Sequence, residues 1–454
     1  MKIRRVLQSD HSFSTLPAYA YQDFLTLDDL IMLRRTHQFF LEKLCKIATP
    51  TINIFYKQLN MLAQFPKARL MANKTSGIDG EDLTIFPRIT CLDISHNSNC
   101  NVSEHLSLMT KLTELNMRDN VVIRGPVLRK LTLVRKLVLD LNTVITDLDI
   151  EALPLRSLSI AKNRIITPLV LRKLNLTHLN INDYTTSRHS IELGDEIIRC
   201  VTITDLELYG TDAYAIGFKT MDKMTWLRKL TIDEQPFSDY GNHLKCLTNL
   251  TYLEIKNGRR IQIGMAVLQQ LETLIITKGI FVDIPSMPMT NLTRLEISAD
   301  ASYTLNYGCL RNLTHLDLGE GSSEKNLEIA ELKKLRKLIL RNVNYSSYVN
   351  IFCVVELEIC YCDIAGFAGG GGDRLESLTV NTLGAIIDDD DMVRFPNLKY
   401  FSMGRAGCAK VTGTCFKDME QLYSLTISKY NNLDPSCIAE LNRAGIMIKY
   451  TQWI

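Results

Sequence analysis

At 454 residues, the chain is long enough for about three domains of ordinary size. Its 52 lysines and arginines nearly balance its 50 aspartates and glutamates, so the formal net charge is +2. This balance excludes the strong basic field of a typical nucleic-acid-binding protein, and it also excludes a large acidic excess.

Cysteine usage and hydropathy indicate where the chain resides. The 12 cysteines occur singly at irregular positions, which favours free thiols in a reducing compartment. Residues 1–30 contain no long apolar run of the kind found in signal peptides, and no stretch approaches the ~18 apolar residues of a membrane span. We therefore expect an intracellular protein, either cytoplasmic or nuclear or within an intracellularly assembled particle, that binds neither membrane nor nucleic acid.

The first 64 residues differ in character from the rest. Residues 1–15 are polar and mixed, and they are interpreted as an N-terminal arm. From residue 16 onward, apolar residues are spaced as on two or three short helices, and Asp28 or Asp29 is positioned to cap the second helix. Linking helices are expected to continue to residue 64, with a break at Pro50. Residues 16–64 are thus predicted to form a helical domain.

This helical segment resembles an F-box. Asp29-Leu30-x-x-Leu33-x-x-Thr36-x-x-x-Phe40 matches the second half of that motif, whereas Leu16-Pro17 lies closer to Asp29 than is usual. The resemblance implies docking on the small Skp-type linker protein of cullin-based ubiquitin ligases. The residues implicated in docking are Leu16, Pro17, Phe24, Leu25, Asp29, Leu30, Leu33 and Phe40. Alternatively, the helices only close the open end of a repeat array.

Residues 65–454 are organised by a short repeat, of which residues 291–297 are a clear example. An apolar residue is followed by two variable residues, a leucine, another variable residue and an aliphatic one, and this period-two alternation predicts a half-buried strand. The central leucine or its substitute occurs sixteen times, at intervals of 19 to 27 residues: Leu92, Leu115, Leu137, Leu158, Leu179, Leu206, Leu230, Leu253, Leu274, Leu295, Leu316, Leu338, Leu357, Leu378, Phe401 and Leu425.

This pattern resembles leucine-rich repeats, which recur about every 20 to 29 residues. The resemblance implies an α/β solenoid of about 16–18 repeats, a horseshoe with a parallel sheet on its concave face and looser segments on its convex face. A degenerate first repeat is predicted with Ala68 in the leucine position. Residues 441–454 are predicted to be a C-terminal cap, in which Ile446 and Ile448 belong to one more strand.

Two sets of asparagines recur within the repeats. In the first four clear repeats, an asparagine lies five residues after the central leucine, at Asn97, Asn120, Asn142 and Asn163. Its amide can bond the backbone of a tight turn, which predicts an asparagine ladder along the stack. A second set begins Asn-Leu-Thr triplets, at Asn175, Asn249, Asn291 and Asn312. We interpret these triplets as part of the strand start rather than as glycosylation sites.

Residues beside the central leucines are expected to face the exposed concave surface. The row directly after the leucines contains six acids and no base, and the row directly before them includes lysines, an arginine and aromatic groups. Either these charges neutralise one another across neighbouring strands, or the acids receive a basic segment of a partner protein. The candidate partner-binding residues are Glu207, Tyr252, Glu254, Arg294, Glu296, His315, Asp317 and Glu358.

Three other motifs are interpreted as structural. The glycine run at residues 366–372 lacks the lysine and Ser/Thr of a phosphate-binding loop and is predicted to be a convex loop. The acidic run at residues 388–391 lacks the ligand spacing of an EF-hand and is predicted to be a solvated turn. Cys360 and Cys362 are explained by repeat packing. We predict no catalytic residue, no cofactor, no metal site and no enzymatic activity.

Two functional interpretations follow. In the first, the chain is a substrate-recognition adaptor of a cullin ubiquitin ligase, which binds the linker through its F-box-like segment and a target on the concave repeat face. In the second, it is a structural scaffold component of a larger assembly, such as a virus particle, because repeat proteins resembling this one also occur in large viruses. The helical N-terminus would then act only as a cap.

Overall fold

The chain divides into two compact units, Met1–Glu207 and Leu208–Ile454. The computed structural model describes residues 51–53, 69–71, 80–84, 86, 88–97, 102–181, 190–209, 221–233, 244, 246–257, 260–262, 268–279, 281–283, 289–299, 303–319, 329–368, 372–381, 387–404, 410–428 and 433–451. The linker-docking residues predicted between Leu16 and Phe40 lie outside the described residues, and so does the predicted N-terminal arm.

The N-terminal unit alternates short strands with short helices, as expected for repeats of this length. Its strands are β1 (Thr51–Asn53), β2 (Arg69–Met71), β3 (Cys91–Asp93), β4 (Glu114–Asn116), β5 (Lys136–Val138), β6 (Ser157–Ser159), β7 (His178–Asn180) and the first residues of β8 (Asp205–Tyr209). Its described helices are α1 (Gly80–Thr84), α2 (Val102–Leu106), α3 (Gly125–Leu128), α4 (Asp147–Ile150), α5 (Pro168–Leu171) and α6 (Ser190–Ile197).

Consecutive strands of this unit pair in parallel. The predicted central leucines from Leu92 to Leu206 occupy equivalent positions in the register, and each is at most 1% exposed. They therefore form a continuous apolar column, which is how single strands of three residues are stabilised.

Two predictions at the start of the array are wrong. Leu70, rather than Ala68, pairs with Leu92, and it is fully buried because a leucine fills the interior column better than an alanine does. The stretch after Pro50 was predicted to be helical, but Thr51–Asn53 form a strand in which Ile52 pairs with Leu70. The β-branched side chains of Thr51 and Ile52 favour extended backbone.

The predicted asparagine ladder is confirmed in the N-terminal unit. Asn142 is fully buried; its Oδ1 accepts hydrogen bonds from the backbone N–H groups of Val144 (3.0 Å) and Ile145 (2.9 Å). Its Nδ2 donates to the carbonyl of Asn120, one repeat earlier, at 2.6 Å. Asn120 and Asn163 make the same pair of acceptor bonds at their own turns. Each asparagine thus closes one turn and ties it to its neighbour.

Directly before each ladder asparagine, the backbone adopts the left-handed conformation. The residues are His96, Asp119, Leu141 and Lys162, with φ between 50° and 58°. The same position is left-handed at Asn257, Lys278, Asn342 and Tyr361 in the C-terminal unit. Leucine, lysine and tyrosine are strained there because their Cβ atoms crowd the following carbonyl.

Lys278→Gly is therefore expected to raise the free energy of unfolding by up to about 1 kcal/mol, because Lys278 is exposed and relief of this strain exceeds the entropy cost of glycine. Urea unfolding measures the change. Arg164→Gly is the matched control, since Arg164 is exposed but has no left-handed backbone, and it should lower stability by about 0.5 kcal/mol. Equal losses in the two variants would contradict the prediction.

The C-terminal unit contains the longer strands. They are β9 (Lys229–Asp233), β10 (Tyr252–Lys256), β11 (Arg260–Gln262), β12 (Thr273–Gly279), β13 (Phe281–Asp283), β14 (Arg294–Ala299), β15 (Tyr303–Thr304), β16 (His315–Gly319), β17 (Lys337–Arg341), β18 (Asn344–Asn350), β19 (Glu356–Cys360), β20 (Asp363–Ala368), β21 (Ser377–Asn381), β22 (Tyr400–Met403), β23 (Ser424–Ser428) and β24 (Met447–Thr451). The described helices are α7 (Asp389–Met392) and α8 (Pro435–Arg443), and 3-10 helices span Tyr307–Cys309, Ile329–Glu331, Gly372–Arg374 and Thr414–Asp418.

The main parallel sheet of this unit runs in the order β9, β10, β12, β14, β16, β17, β19, β21, β22, β23 and β24. The predicted central residues from Leu230 to Leu425 share one register position and are at most 2% exposed. The predicted final strand is confirmed, but Ile448 rather than Ile446 pairs with Leu425. In both units, the sequence period therefore located the interior column.

Smaller parallel sheets flank the main one, with β11, β13 and β15 in one and β18 and β20 in another. The glycine run was predicted to be a loop, yet its first residues, Gly366 to Ala368, belong to β20. Gly366 has φ 133° and lies where the β18–β20 register shifts, a backbone irregularity that glycine accommodates. Pairing with β18 thus overrides the low strand propensity of glycine.

The Asn-Leu-Thr triplets belong to the strand start, as predicted. The side-chain amides of Asn249, Asn291 and Asn312 donate to carbonyls of the preceding repeat, at Thr225 (2.7 Å), Gln269 (2.8 Å) and Thr290 (2.5 Å). The hydroxyls of Thr251 and Thr293 donate to the carbonyls of Arg228 and Glu272. These bonds fix the spacing of successive repeats.

The acidic run at residues 388–391 was predicted to be a solvated turn, and this is wrong. The carboxylate of Asp388 caps α7 by accepting from the N–H of Asp391 at 3.0 Å. Asp389 accepts from the N–H and the hydroxyl of Thr412, one repeat later, at 3.0 and 2.6 Å. Burial opposes its charge, but the hydrogen bonds from Thr412, Cys415 and Gly413 together outweigh that effect and lower the pKa of Asp389 to about 2.

None of the described helices is long and apolar enough to cross a membrane; α8, with 9 residues, is the longest of them.

Candidate functional site

The predicted partner-binding residues lie on exposed or half-buried positions of the strands. Tyr252 and Glu254 are on β10, Arg294 and Glu296 on β14, His315 and Asp317 on β16, and Glu358 on β19, all in the C-terminal unit. Glu207 is on β8 in the N-terminal unit. Strand register places Glu296 directly beside Asp317, whereas Ile275 separates Glu254 from Glu296 and Ile339 separates Asp317 from Glu358.

Glu254 is held by three side chains. The hydroxyls of Tyr252 and Thr231 donate to its Oε2 at 3.1 and 3.3 Å. The ammonium of Lys256 lies 3.3 Å from its Oε1. Burial and the neighbouring Glu254 carboxylate raise the pKa of Tyr252 to about 12, so this phenol stays protonated and acts as a donor. Glu254 is therefore well compensated.

Glu296 is bound by the guanidinium of Arg294, whose Nε donates to Oε1 at 2.6 Å. The ring of His315 lies on the other side, with Nε2 3.6 Å from the same oxygen. Burial and the positive charge of Arg294 lower the pKa of His315 below its usual 6.5, against the opposing effect of Glu296. His315 is consequently neutral near pH 7 and does not offset the carboxylate charge.

Arg341, on β17, bridges two carboxylates on the strands to either side. Its Nη1 is 2.7 Å from Asp317 Oδ2, and its Nη2 is 3.4 Å from Glu358 Oε1. Burial raises the pKa of Asp317, and nearby Glu296 and Glu358 add to the rise, although Arg341 opposes it. Ionised Asp317 is thus incompletely compensated by its surroundings.

Within the described residues, Glu296, Asp317 and Glu358 share the guanidinium groups of Arg294 and Arg341, while His315 is neutral. Three negative charges therefore meet two positive charges on this surface. We call Glu296, Asp317 and Glu358 the acidic row.

The sequence prediction missed Arg341 and Lys256. Both lie three residues after a central leucine, whereas the prediction covered only the positions directly before and directly after those leucines. A period-two signal could have found Lys256, because it is two residues after Glu254 and so lies on the same face of β10. Arg341 has no acidic partner two residues away on its own strand, so its role can be predicted only when the register of the neighbouring strands is known.

Glu207 has a separate environment in the N-terminal unit. His178, on β7, lies between Asp205 and Glu207, with Nδ1 3.2 Å from Asp205 Oδ2 and Nε2 3.8 Å from Glu207 Oε1. The hydrogen bond with Asp205 raises the pKa of His178, and both carboxylates contribute, although burial and Lys136 oppose the rise. The candidate residue Glu207 thus belongs to a histidine-bridged pair of acids.

His178 and His315 should affect stability in opposite directions as the pH falls. The raised pKa of His178 means that its stabilising contribution is complete below the ordinary value of 6.5 and is lost as the pH rises through the folded-state pKa. The lowered pKa of His315 means that acidification below 6.5 destabilises the fold. Thermal unfolding of His178→Gln and His315→Gln across this range measures both effects.

Relative to wild type, we expect His178→Gln to lose most stability at acid pH, and His315→Gln to gain there. A pH-independent difference for either variant would contradict the corresponding prediction.

A depression of about 290 Å³ lies on β2 to β5 in the N-terminal unit, and it is lined by Arg69, Cys91, Glu114 and neighbouring residues. Arg69 Nη2 is 2.8 Å from Glu114 Oε2, and the Cys91 thiol donates to the same oxygen at 3.6 Å. Burial and Glu114 raise the pKa of Cys91 to about 11. This thiol is therefore protonated at neutral pH and is a weak nucleophile.

Cys360, the last residue of β19, and Cys362, which directly precedes β20, have thiols held within the repeat. The Cys362 thiol is buried, donates to the carbonyl of Cys360 at 3.2 Å and accepts from the N–H of Val343 at 3.5 Å. Burial raises the pKa of Cys360 to about 11. In the described part of the chain, no group of three or more His, Cys, Asp or Glu side chains is arranged to hold a metal ion.

No protein-family model matches the sequence, and no curated protein matches it. Among solved structures, a leucine-rich-repeat protein of Leptospira interrogans aligns with 88% of this chain and 100% of its own length, at 16% identity and a TM-score of 0.50. The fold is that of a leucine-rich-repeat protein. An internalin of Listeria monocytogenes covers 86% of this chain and 98% of its own length, at 17% identity and a TM-score of 0.41. The acidic row therefore lies on the strand surface of leucine-rich repeats.

Proposed function

We propose that this chain is a non-catalytic protein-binding module, and that the acidic row of the C-terminal unit binds a basic segment of a partner protein. The observation that carries the proposal is the charge imbalance, in which Glu296, Asp317 and Glu358 share only the guanidinium groups of Arg294 and Arg341 among the described residues. A cation from a partner would offset the two effects that raise the pKa of Asp317, which are burial and, to a lesser extent, repulsion from Glu296 and Glu358.

The support for a protein partner is the form of the surface. The carboxylates project from three strands of one parallel sheet, β14, β16 and β19, which backbone hydrogen bonds hold in register, so their spacing is preorganised. Each carboxylate retains unused lone pairs, because Arg341 contacts only one oxygen of Asp317 and one of Glu358. An incoming lysine or arginine can bind these oxygens without displacing Arg341.

Fluorescence anisotropy with a labelled oligo-lysine peptide tests the proposal. Wild type should bind in a salt-dependent manner, and the triple variant Glu296→Lys, Asp317→Lys, Glu358→Lys should lose binding. The matched control reverses three exposed acids elsewhere in the same unit, Glu331→Lys, Asp418→Lys and Glu420→Lys. Unchanged affinity in the first variant, or equal loss in both variants, would reject the acidic row as a binding site. The charges on this surface would then only neutralise one another.

The finer proposal is that the chain is an F-box-type adaptor of a cullin ubiquitin ligase. Its support is the match of Asp29-Leu30-x-x-Leu33-x-x-Thr36-x-x-x-Phe40 to the F-box motif. The Skp-type linker would bind residues 16–64, and the repeats would hold the target at high effective concentration near the ligase. The alternative is a scaffold component of a larger assembly, such as a virus particle, in which these residues serve as a cap.

A pull-down with the purified Skp-type linker separates these alternatives. Wild type should retain the linker, Leu30→Asp and Phe40→Asp should each abolish retention, and Ser14→Asp, in the polar arm, should not affect it. Failure of the wild-type chain to bind the linker would reject the adaptor role and favour the scaffold.

A further inference from the structure

A basic groove lies in the C-terminal unit at the edge where its strands begin. The groove has a volume of about 800 Å³ and is lined by Lys333, Lys334, Arg336, Arg374, Glu376 and Lys399, among others. Arg336, Glu376 and Lys399 directly precede β17, β21 and β22. Because the strands are parallel, their first residues share one edge of the sheet. We call this feature the strand-start groove; it does not include the acidic row.

Most of the positive charge in the strand-start groove has no carboxylate partner within the described part of the chain. Lys399 pairs with Glu376 at 3.0 Å, and Lys334 donates to the side-chain oxygen of Asn312 at 2.6 Å. Lys333, Arg336 and Arg374 are exposed, and each has no ion pair with any residue in the described ranges. Surface cations at this density attract negative charge, since they repel one another when unpaired.

The backbone at this edge is already hydrogen-bonded. The N–H groups of Arg336 and Lys337 both donate to the carbonyl of Thr314, at 2.9 and 3.0 Å. Those of Lys399 and Tyr400 both donate to the carbonyl of Glu376, at 2.8 and 3.0 Å. A ligand therefore cannot add here as a further strand, and recognition must use the charged side chains.

We propose that the strand-start groove binds an acidic segment of a partner protein. Charge complementarity assigns the class of ligand, because Lys333, Arg336 and Arg374 present three cations along one open groove, and none of the three has an ion pair among the described residues. A protein segment fits better than a nucleic acid for two reasons. The lining includes the carboxylates of Asp373 and Glu376, which would repel a continuous phosphate backbone, and none of the described lining residues is an aromatic on which a base could stack.

The ligand chemistry is opposite to that of the acidic row, so the two proposals fail independently. A peptide can place its aspartates and glutamates opposite the free cations and a neutral residue beside Glu376, whereas a polyphosphate cannot vary its charge along its length. The partner of the strand-start groove is thus an acidic protein segment, and the partner of the acidic row is a basic one.

Anisotropy with a fluorescein-labelled oligo-glutamate peptide and the full chain tests this inference. The triple variant Lys333→Glu, Arg336→Glu, Arg374→Glu should weaken binding by about tenfold or more. The matched control, Lys410→Glu, Arg443→Glu, Lys449→Glu, changes the net charge equally at exposed sites outside the groove and should stay within about twofold. Thermal unfolding checks that both variants remain folded, and the corresponding Lys→Gln and Arg→Gln variant should show an intermediate loss.

Two outcomes would overturn the inference. One is the absence of a groove-specific effect: either wild type does not bind the peptide at all, or the groove and control variants lose binding equally, in which case net charge alone explains the loss. The other is tighter binding of a single-stranded oligothymidylate of matched charge that is lost in the groove variant, which would assign the groove to nucleic acid. Loss of oligo-glutamate binding with retained oligo-lysine binding would support the groove and leave the acidic row unaffected.

Discussion

Asn142→Ala is expected to lower the free energy of unfolding by about 3 kcal/mol or more. The variant leaves the N–H groups of Val144 and Ile145 without an acceptor and removes the donor to the carbonyl of Asn120. The Asn142 side chain is fully buried, and its bonds with Ile145 and Asn120 are buried too, so water does not replace them and each unpaired group costs about 1–3 kcal/mol. Urea unfolding measures the total loss.

Native-state hydrogen exchange localises this effect. The amide protons of Val144 and Ile145 should exchange faster in the variant, whereas those of distant repeats should change less, because repeats interact mainly with their neighbours. Thr143→Ala, at the adjacent exposed position, is the control and should change stability by less than about 0.5 kcal/mol. A loss below about 1 kcal/mol in Asn142→Ala would mean that the ladder is not a main source of stability.

Leu295→Ala is expected to cost about 3 kcal/mol, because it opens a cavity in the interior column of the C-terminal unit. Leu295 is fully buried and lies in register between Leu274 and Leu316 on the neighbouring strands. Backbone hydrogen bonds hold β12, β14 and β16 apart at the strand spacing, so the column cannot collapse to fill the space.

Leu148→Ala is the matched control for this truncation. Leu148, on α4 in the N-terminal unit, is 66% exposed, and removing its side chain should change stability by less than about 0.5 kcal/mol. Because both variants replace leucine by alanine, any difference between their stability losses is due to the burial of Leu295. Similar losses at the two positions would contradict the assignment of the interior column.

The interior column could be predicted from the sequence, because a leucine at each central position is required to fill it. All sixteen predicted positions, from Leu92 to Leu425, are buried at the predicted place in their strands. The ladder asparagines could also be predicted from the sequence. Asn120 and Asn142 recur at a fixed distance from the central leucine, and only a hydrogen-bonding side chain satisfies the turn at that position. A residue that every repeat needs for packing or hydrogen bonding recurs at the same position of each repeat, and the sequence shows that recurrence.

Features that depend on pairing rather than on period were missed. Thr51–Asn53 is too short for a pattern, and it is a strand because Ile52 pairs with Leu70. Gly366 looks like a loop residue, and only its pairing with Tyr348 places it in β20. Arg341 forms ion pairs with Asp317 and Glu358 on the two strands that neighbour its own. The order of residues along the chain does not show which side chains meet across strands.

Site-specific photo-crosslinking tests the acidic-row proposal most directly. A photoreactive residue is placed at Thr277, on β12 beside β14, and at Val393, which is 66% exposed and follows α7 in the same unit. Peptides captured in cells from Thr277 should be rich in lysine and arginine and should be lost when Glu296 and Asp317 are changed to lysine, whereas Val393 should capture none of them. Capture only from Val393, or peptides at Thr277 without an excess of basic residues, would contradict the proposed function.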